Sequence, residues 1–236
     1  MKNIDTLAKV YFIVKNYVIQ KGFADEIDWQ ENVDITNLNS QTFLKEYSWV
    51  VLASGLSDKV VSKVFPQINI ILKSWSNLEY IACNYSFLEE ALLKVFNNKL
   101  KIKAILDTSL IVYSLGFENI KIQIQNKGLL YLKTFKFIGD ATCYHLAKNI
   151  GLSFAKPDRH LVRITNRIGF DSPNILCKLI SDYVSEKIQV VDLVLWRYAT
   201  IDKNYEKKIS KLMQSRTLHI KQEQKIKTNL FEEHVS

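Results

Sequence analysis

Asp158 follows Pro157 at the point where a helical pattern over 158–168 begins, so its carboxylate sits at a helix head, beside uncovered backbone amides. A carboxylate fixed in this way stabilises positive charge that develops on a substrate, and it can orient or deprotonate an attacking water. Its plainer use is as an N-cap, worth about 1 kcal/mol. His160 and Arg163 follow in the first turns, where both also have structural uses. Upstream, the run from Phe135 to Gly151 places a turn glycine, Gly139, at the opening of another helix. Amides left uncovered at such a start form an anion site suited to a nucleic-acid phosphate. Ile138, Gly139, Asp140, Ala141 and Thr142 make up that turn, and Lys133, Lys136 and Lys148 add screened attraction. A third constellation is the acidic segment Asp25 to Trp29. Aromatic faces stack on nucleobases and carboxylates read their edges, which makes Glu26, Asp28, Trp29 and Tyr144 candidates for base contacts if the polyanion is a nucleic acid.

These residues need helices to hold them. Apolar spacing predicts helices over 5–21, 43–52, 58–75, 79–100, 102–115, 129–135, 140–150, 158–168, 172–186 and 188–199. Gly151 is a natural C-cap for the helix that Gly139 opens. Residues 22–40 read as acidic and irregular. Residues 120–125 alternate briefly, as a short extended segment or a helix start. Beyond about Thr200 the chain becomes polar and charged, a solvated helix or a frayed tail.

Composition sets the outer bounds. With 236 residues, 47% of them hydrophobic, the chain can bury a sizeable core, and only three prolines and seven glycines favour helices on short connections over a strand-rich sandwich. The class expected is all-α. Thirty-two Lys and Arg against twenty-four Asp and Glu give a net charge of +8, which suits a polyanionic partner and equally suits a basic protein with solvated helix faces. Cys83, Cys143 and Cys177 are odd in number and widely spaced, so neither a disulfide framework nor a zinc site is indicated, and a reducing compartment fits. No stretch reaches the ~18 apolar residues of a spanning helix and the amino terminus lacks a signal-peptide core, so a cytoplasmic protein with no membrane partner is expected.

Residues 137–163 resemble the helix-hairpin-helix DNA glycosylase superfamily. Its hairpin reads roughly Leu-Pro-Gly-hydrophobic-Gly-x-Lys-Thr-Ala, and its catalytic aspartate opens an Asp-x-His-x-x-Arg segment. Ile138, Gly139 and Thr142 match the hairpin, while Asp158, His160 and Arg163 match the second motif. Two positions depart from the pattern: Phe137 replaces the first hairpin glycine, and Ala141 replaces the lysine of the bifunctional members. Weaker similarity extends over about 42–199. It includes Asp58 and Lys59 after a loop whose Leu56 would be the wedge pushed into the DNA stack, and Asp192 to Trp196 in a closing helix.

The resemblance implies a two-lobed helical fold with an interlobe cleft. One lobe, 42–154, would carry the hairpin at 129–151; residues 1–41 with 155–236 would form the other, bearing Asp158. It implies a monomer that binds double-stranded DNA in the nucleoid, flips a damaged or modified base and hydrolyses its glycosidic bond, in repair or in defence against modified foreign DNA. A monovalent cation on the hairpin carbonyls is implied as well. No iron–sulfur cluster is expected, since nothing after Cys177 could supply its ligands. Ala141 makes hydrolysis by water the expectation, and Lys156 or Lys136 would give lyase chemistry only if the fold brings one to the sugar carbon. The rival readings are a helix-hairpin-helix DNA-binding protein without turnover and a partner-binding helical domain.

Overall fold

The computed structural model describes residues 4–214, and among them every regular element is helical. The chain opens with α1 (Ile4–Gln20), α2 (Ala24–Asn32), α3 (Ser40–Ala53), α4 (Asp58–Ile71), α5 (Leu78–Cys83) and α6 (Tyr85–Val95). It continues through α7 (Lys99–Leu115), α8 (Phe117–Lys127), the single turn α9 (Leu129–Leu132), α10 (Thr142–Asn149), α11 (Arg159–Ile168), α12 (Pro173–Val184) and α13 (Ile188–Ile201). Residues 205–214 are helical too; the remainder of the charged stretch beyond Thr200 lies outside the described residues.

Two compact units divide the chain, residues 33–154 and residues 4–32 with 155–214, each with its own apolar core. In the first, α3 is buried nearly all round through Phe43, Leu44, Tyr47, Val50, Val51 and Leu52, and packs on α4, α7 and α10. A helix apolar on every side has to lie at the centre of a core. Side-chain oxygens of Asn39, Asn77 and Asn98 accept from amides in the first turns of α3, α5 and α7, which fixes where those helices start. In the second unit α1 packs on α12 and α13, while α2 and α11 lean on α13. Val190, Val191, Leu193, Val194 and Leu195 make α13 the buried axis of that unit.

Three sequence expectations need correction, and the alternative left open for 120–125 falls to helix. The unit that carries the hairpin begins at residue 33, not 42: Leu38 is buried in its core, Ile35 packs against it, and Asp34 caps the short 3₁₀ turn Ile35–Asn37. The segment 22–40 is not irregular throughout, since 24–32 forms α2. Its two buried residues, Ile27 and Gln30, are too few to give a periodic signal, while Asp25 and Glu26 in its first turn suit the helix dipole. The helix expected over 58–75 stops at Ile71, where Lys73, Ser74 and Trp75 take left-handed angles, with the buried Trp75 ring and an Asn69 to Ser74 hydrogen bond of 2.9 Å holding the turn. Residues 120–125 lie inside α8, with Ile120 and Ile124 facing the core.

Candidate DNA-binding and catalytic residues

The hairpin turn is longer than expected, because α9 ends at Leu132 and α10 starts only at Thr142. Phe137, standing where the resembled family has glycine, adopts a left-handed φ of 63°. The backbone bend therefore persists without the glycine, at a steric cost that Phe cannot avoid. Ile138 points inward and is 4% exposed, so it anchors the turn to the core and can meet DNA only through its backbone. Phe135 is buried beside it. The Tyr47 hydroxyl donates to the Lys136 carbonyl at 2.9 Å, tying the turn to α3.

Around Gly139 the polar geometry differs from an open anion site at one point. The Gly139 amide already donates to Thr142 Oγ1 at 2.7 Å, and that hydroxyl donates to the Phe137 carbonyl at 2.9 Å. Thr142 thus locks the turn. Among the described residues no acceptor meets the amides of Asp140 and Ala141, and Ala141 caps α10 without a side-chain hydrogen bond. Those two amides, rather than that of Gly139, are open to an anion. A Cβ built on Gly139 meets nothing within 4 Å, and its φ is not left-handed, so nothing inside the protein requires glycine there. Gly151 is the opposite case. It has φ 89° in a Schellman cap, where Gly151 and Leu152 donate to the Lys148 and Ala147 carbonyls, and an added Cβ would lie 2.5 Å from the Ile35 nitrogen.

Charges near the turn are mostly paired. Lys133 bridges to the exposed Asp140 at 2.6 Å, an interaction that raises the Lys133 pKa and lowers that of Asp140. Lys136 reaches Asp107 Oδ2 at 3.0 Å, and the Tyr85 hydroxyl donates to Asp107 Oδ1 at 2.8 Å. Burial pushes the Asp107 carboxyl up, but these hydrogen bonds and the Lys136 charge outweigh it and hold the pKa below the usual range. Lys148 is buried and adds no surface attraction, which corrects the sequence expectation for it. Leu56 is 39% exposed in the turn after α3. That turn is fixed by the largely buried Lys101, whose ammonium donates to the Leu52 and Ser54 carbonyls at 2.9 and 2.6 Å. Burial lowers the pKa of Lys101.

In the other unit, Asp158 caps α11: Oδ1 accepts from the His160 and Leu161 amides, both at 2.9 Å. Among the described residues Oδ2 has no partner. The strap leading to Asp158 is tied down as well. Asn174 Oδ1 accepts from the Ala155 amide at 3.1 Å, and the buried Asp192 carboxylate accepts from the Lys156 amide at 2.8 Å. Asn174 escaped the sequence reading because a lone asparagine in the first turn of a helix carries no signal. His160 lies edge-on to the Tyr205 ring at 5.7 Å, and Arg163 faces the same phenol, so both support the packing of residues 205–214 on α11.

The acidic cluster lies on α2. Glu26 forms a two-pronged ion pair with Arg197, at 2.6 and 2.9 Å, and that guanidinium also lies over the Phe23 and Trp196 rings. Glu26 thereby clamps α2 to α13, with both of its oxygens engaged by Arg197. Asp28 is exposed, and Trp29 is 44% exposed beside it. Tyr144, half-buried in the hairpin unit, lies edge-on to Phe154 at 6.1 Å.

Among the described residues no group of three or more His, Cys, Asp or Glu is placed to hold a metal ion, and no helix is long and apolar enough to cross a membrane. No family model, curated protein or solved structure matches the chain.

Proposed function

We propose that this protein is a monofunctional DNA glycosylase that acts on a damaged or modified base in duplex DNA. The observation that carries the reading is Asp158: one oxygen is spent on two backbone amides and the other has no partner among the described residues, on a strap that Asn174 and Asp192 hold in place. A cap needs one oxygen. A carboxylate held this firmly loses little in reorganisation when positive charge develops nearby.

The open amides of Asp140 and Ala141 take a backbone phosphate, and the nucleotide is extruded at a cost of a few kcal/mol in lost stacking. As the bond from the base nitrogen to the sugar C1′ breaks, the sugar gains oxocarbenium character, which Asp158 Oδ2 stabilises. A water oxygen bonds to C1′ as the bond to the base breaks, and the proton it releases passes by way of the carboxylate and solvent to the departing base, so an abasic sugar and free base remain and Asp158 is again ionised. Ala141 offers no amine for a Schiff base, so the strand stays intact. A second reading, a hairpin DNA-binding protein without turnover, is favoured by Phe137 and Ala141 standing where the resembled family has glycine and the lyase lysine.

Mass spectrometry of bases released from duplexes carrying alkylated, hydroxylated or mismatched bases tests the proposal. One substrate should yield free base, strands that break only in alkali, and no borohydride-trapped adduct. Asp158→Asn should lower release on the order of a hundredfold or more, with melting and DNA affinity retained. Release undiminished in that variant removes Asp158 from the chemistry. No release from any duplex favours the binding protein.

A further inference from the structure

Helix α11 carries Arg159, Arg163 and Arg167 at steps of four residues, all three exposed, while Leu161, Ile164 and Thr165 bury its other face. Four residues advance about 6 Å along a helix, so the three guanidiniums form a row about 12 Å long on one solvent-facing side. Among the described residues no carboxylate pairs with any of them. Arg163 has the Tyr205 phenol as its neighbour, and Arg159 Nε makes a long 3.4 Å contact to His160 Nε2.

Folding accounts for the row only in part, since Arg163 packs on Tyr205. Arg167, in the last turn, gains from the helix dipole, but Arg159 is the first helical residue, where that dipole opposes a cation. A guanidinium presents a rigid fork that matches two oxygens of a phosphate, and it sheds its hydration more readily than an ammonium. A strand of nucleic acid carries a charge every 3.4 Å along its axis, so a 12 Å row spans several consecutive phosphates. A membrane surface fits less well, because the same face offers Val162 and Asn166 and no large apolar group to insert. We propose that the arginine row of α11 is a phosphate track that holds one strand of the nucleic acid. This rests on the nucleic-acid reading above and adds a contact independent of the hairpin. Asp158 heads the same helix, so a strand on the track would run within one helix length of the candidate carboxylate.

The test is the salt dependence of binding to an unmodified duplex of about 25 base pairs, measured for the full chain by fluorescence anisotropy. Arg159→Gln with Arg167→Gln should lower the slope of log affinity against log salt by about 1.8, at ~0.9 per lost phosphate, and adding Arg163→Gln by about 0.9 more. The matched Lys variants should keep most of the slope. Should the triple variant fail to fold, the single changes at 159 and 167, which leave Tyr205 untouched, should each remove about 0.9. Wild-type slope in the Gln variants, with binding weakened by Gly139→Val, overturns the track and leaves the hairpin reading standing. Loss of slope in the Gln variants, with none in Gly139→Val, supports the track and removes the hairpin. A flat slope in the wild type overturns both.

Discussion

Gly139 and Gly151, twelve residues apart at the two ends of α10, differ in what the fold asks of them. Gly151 needs its left-handed φ, and its hydrogen comes so close to the backbone of Asp34 and Ile35 that a methyl group would overlap it. Gly151→Ala should therefore cost about 2 kcal/mol or more, from a strained φ and a backbone that must move. Gly139 has neither constraint. Gly139→Ala should leave the thermal midpoint within the ordinary scatter of surface changes, about 0.5 kcal/mol, and weaken DNA binding if an outside group approaches that face. Urea melts of both variants with parallel anisotropy titrations check the contrast. Equal destabilisation by the two changes would make Gly139 a folding residue. The same logic applies at Asp158: Ala should lower stability by about 1 kcal/mol through the lost cap, and Asn should not, so a rate loss in Asn alone belongs to charge.

At the scale of elements, the hairpin is held by a polar brace as well as by Ile138. Asp107 on α7 accepts from Tyr85 on α6 and from Lys136 in the turn, and its pKa lies below the ordinary carboxylate value. Its contribution is complete above the unfolded pKa, about 3.9, and is lost as pH falls through the lower folded value. Asp107→Asn should cost about 1 kcal/mol at neutral pH and reduce the acid-side decline in stability seen in the parent. Melting curves from pH 7 down to pH 2 show whether the two converge. Glu46 works in the other direction: burial raises its pKa, against the Asn149 hydrogen bond, so its ionisation weakens the fold as pH rises. This brace was not legible in the sequence, since Asp107, Tyr85 and Lys136 are distant in the chain and each reads as a solvated helix residue. What was legible is local. The caps at Asp158 and Gly151 and the stripe of Cys143, Leu146, Ala147 and Ile150 all depend on spacing within a few residues. Glu26 read as a pocket residue because its partner, Arg197, lies far away on α13.

For the whole molecule, the decisive fact is how the chain is shared between its two units. Residues 33–154 form a continuous stretch with a complete core, whereas the other unit needs α1 and α2 from one end of the chain and α11 to α13 from the other. Positive charge is shared too: the continuous stretch has thirteen Lys and Arg against nine Asp and Glu, so half of the +8 lies there and half in the remainder. Neither unit carries the whole of the net positive charge, as a polyanion held by both the hairpin and the proposed arginine row would require. A fragment of residues 33–154 should accordingly fold alone, because every apolar side chain of its core comes from within it. It should be helical by circular dichroism and melt in one cooperative step. It should bind duplex DNA with a shallower salt slope than the full chain, having lost the arginine row, and release no base, having lost Asp158. Residues 155–236 expressed without α1 should not fold, since Leu7, Val10, Tyr11, Val14 and Val18 complete their core. A fragment of 33–154 that folds yet keeps the full salt slope would place all phosphate contacts on the hairpin unit, leaving α11 only its part in the packing of the second core.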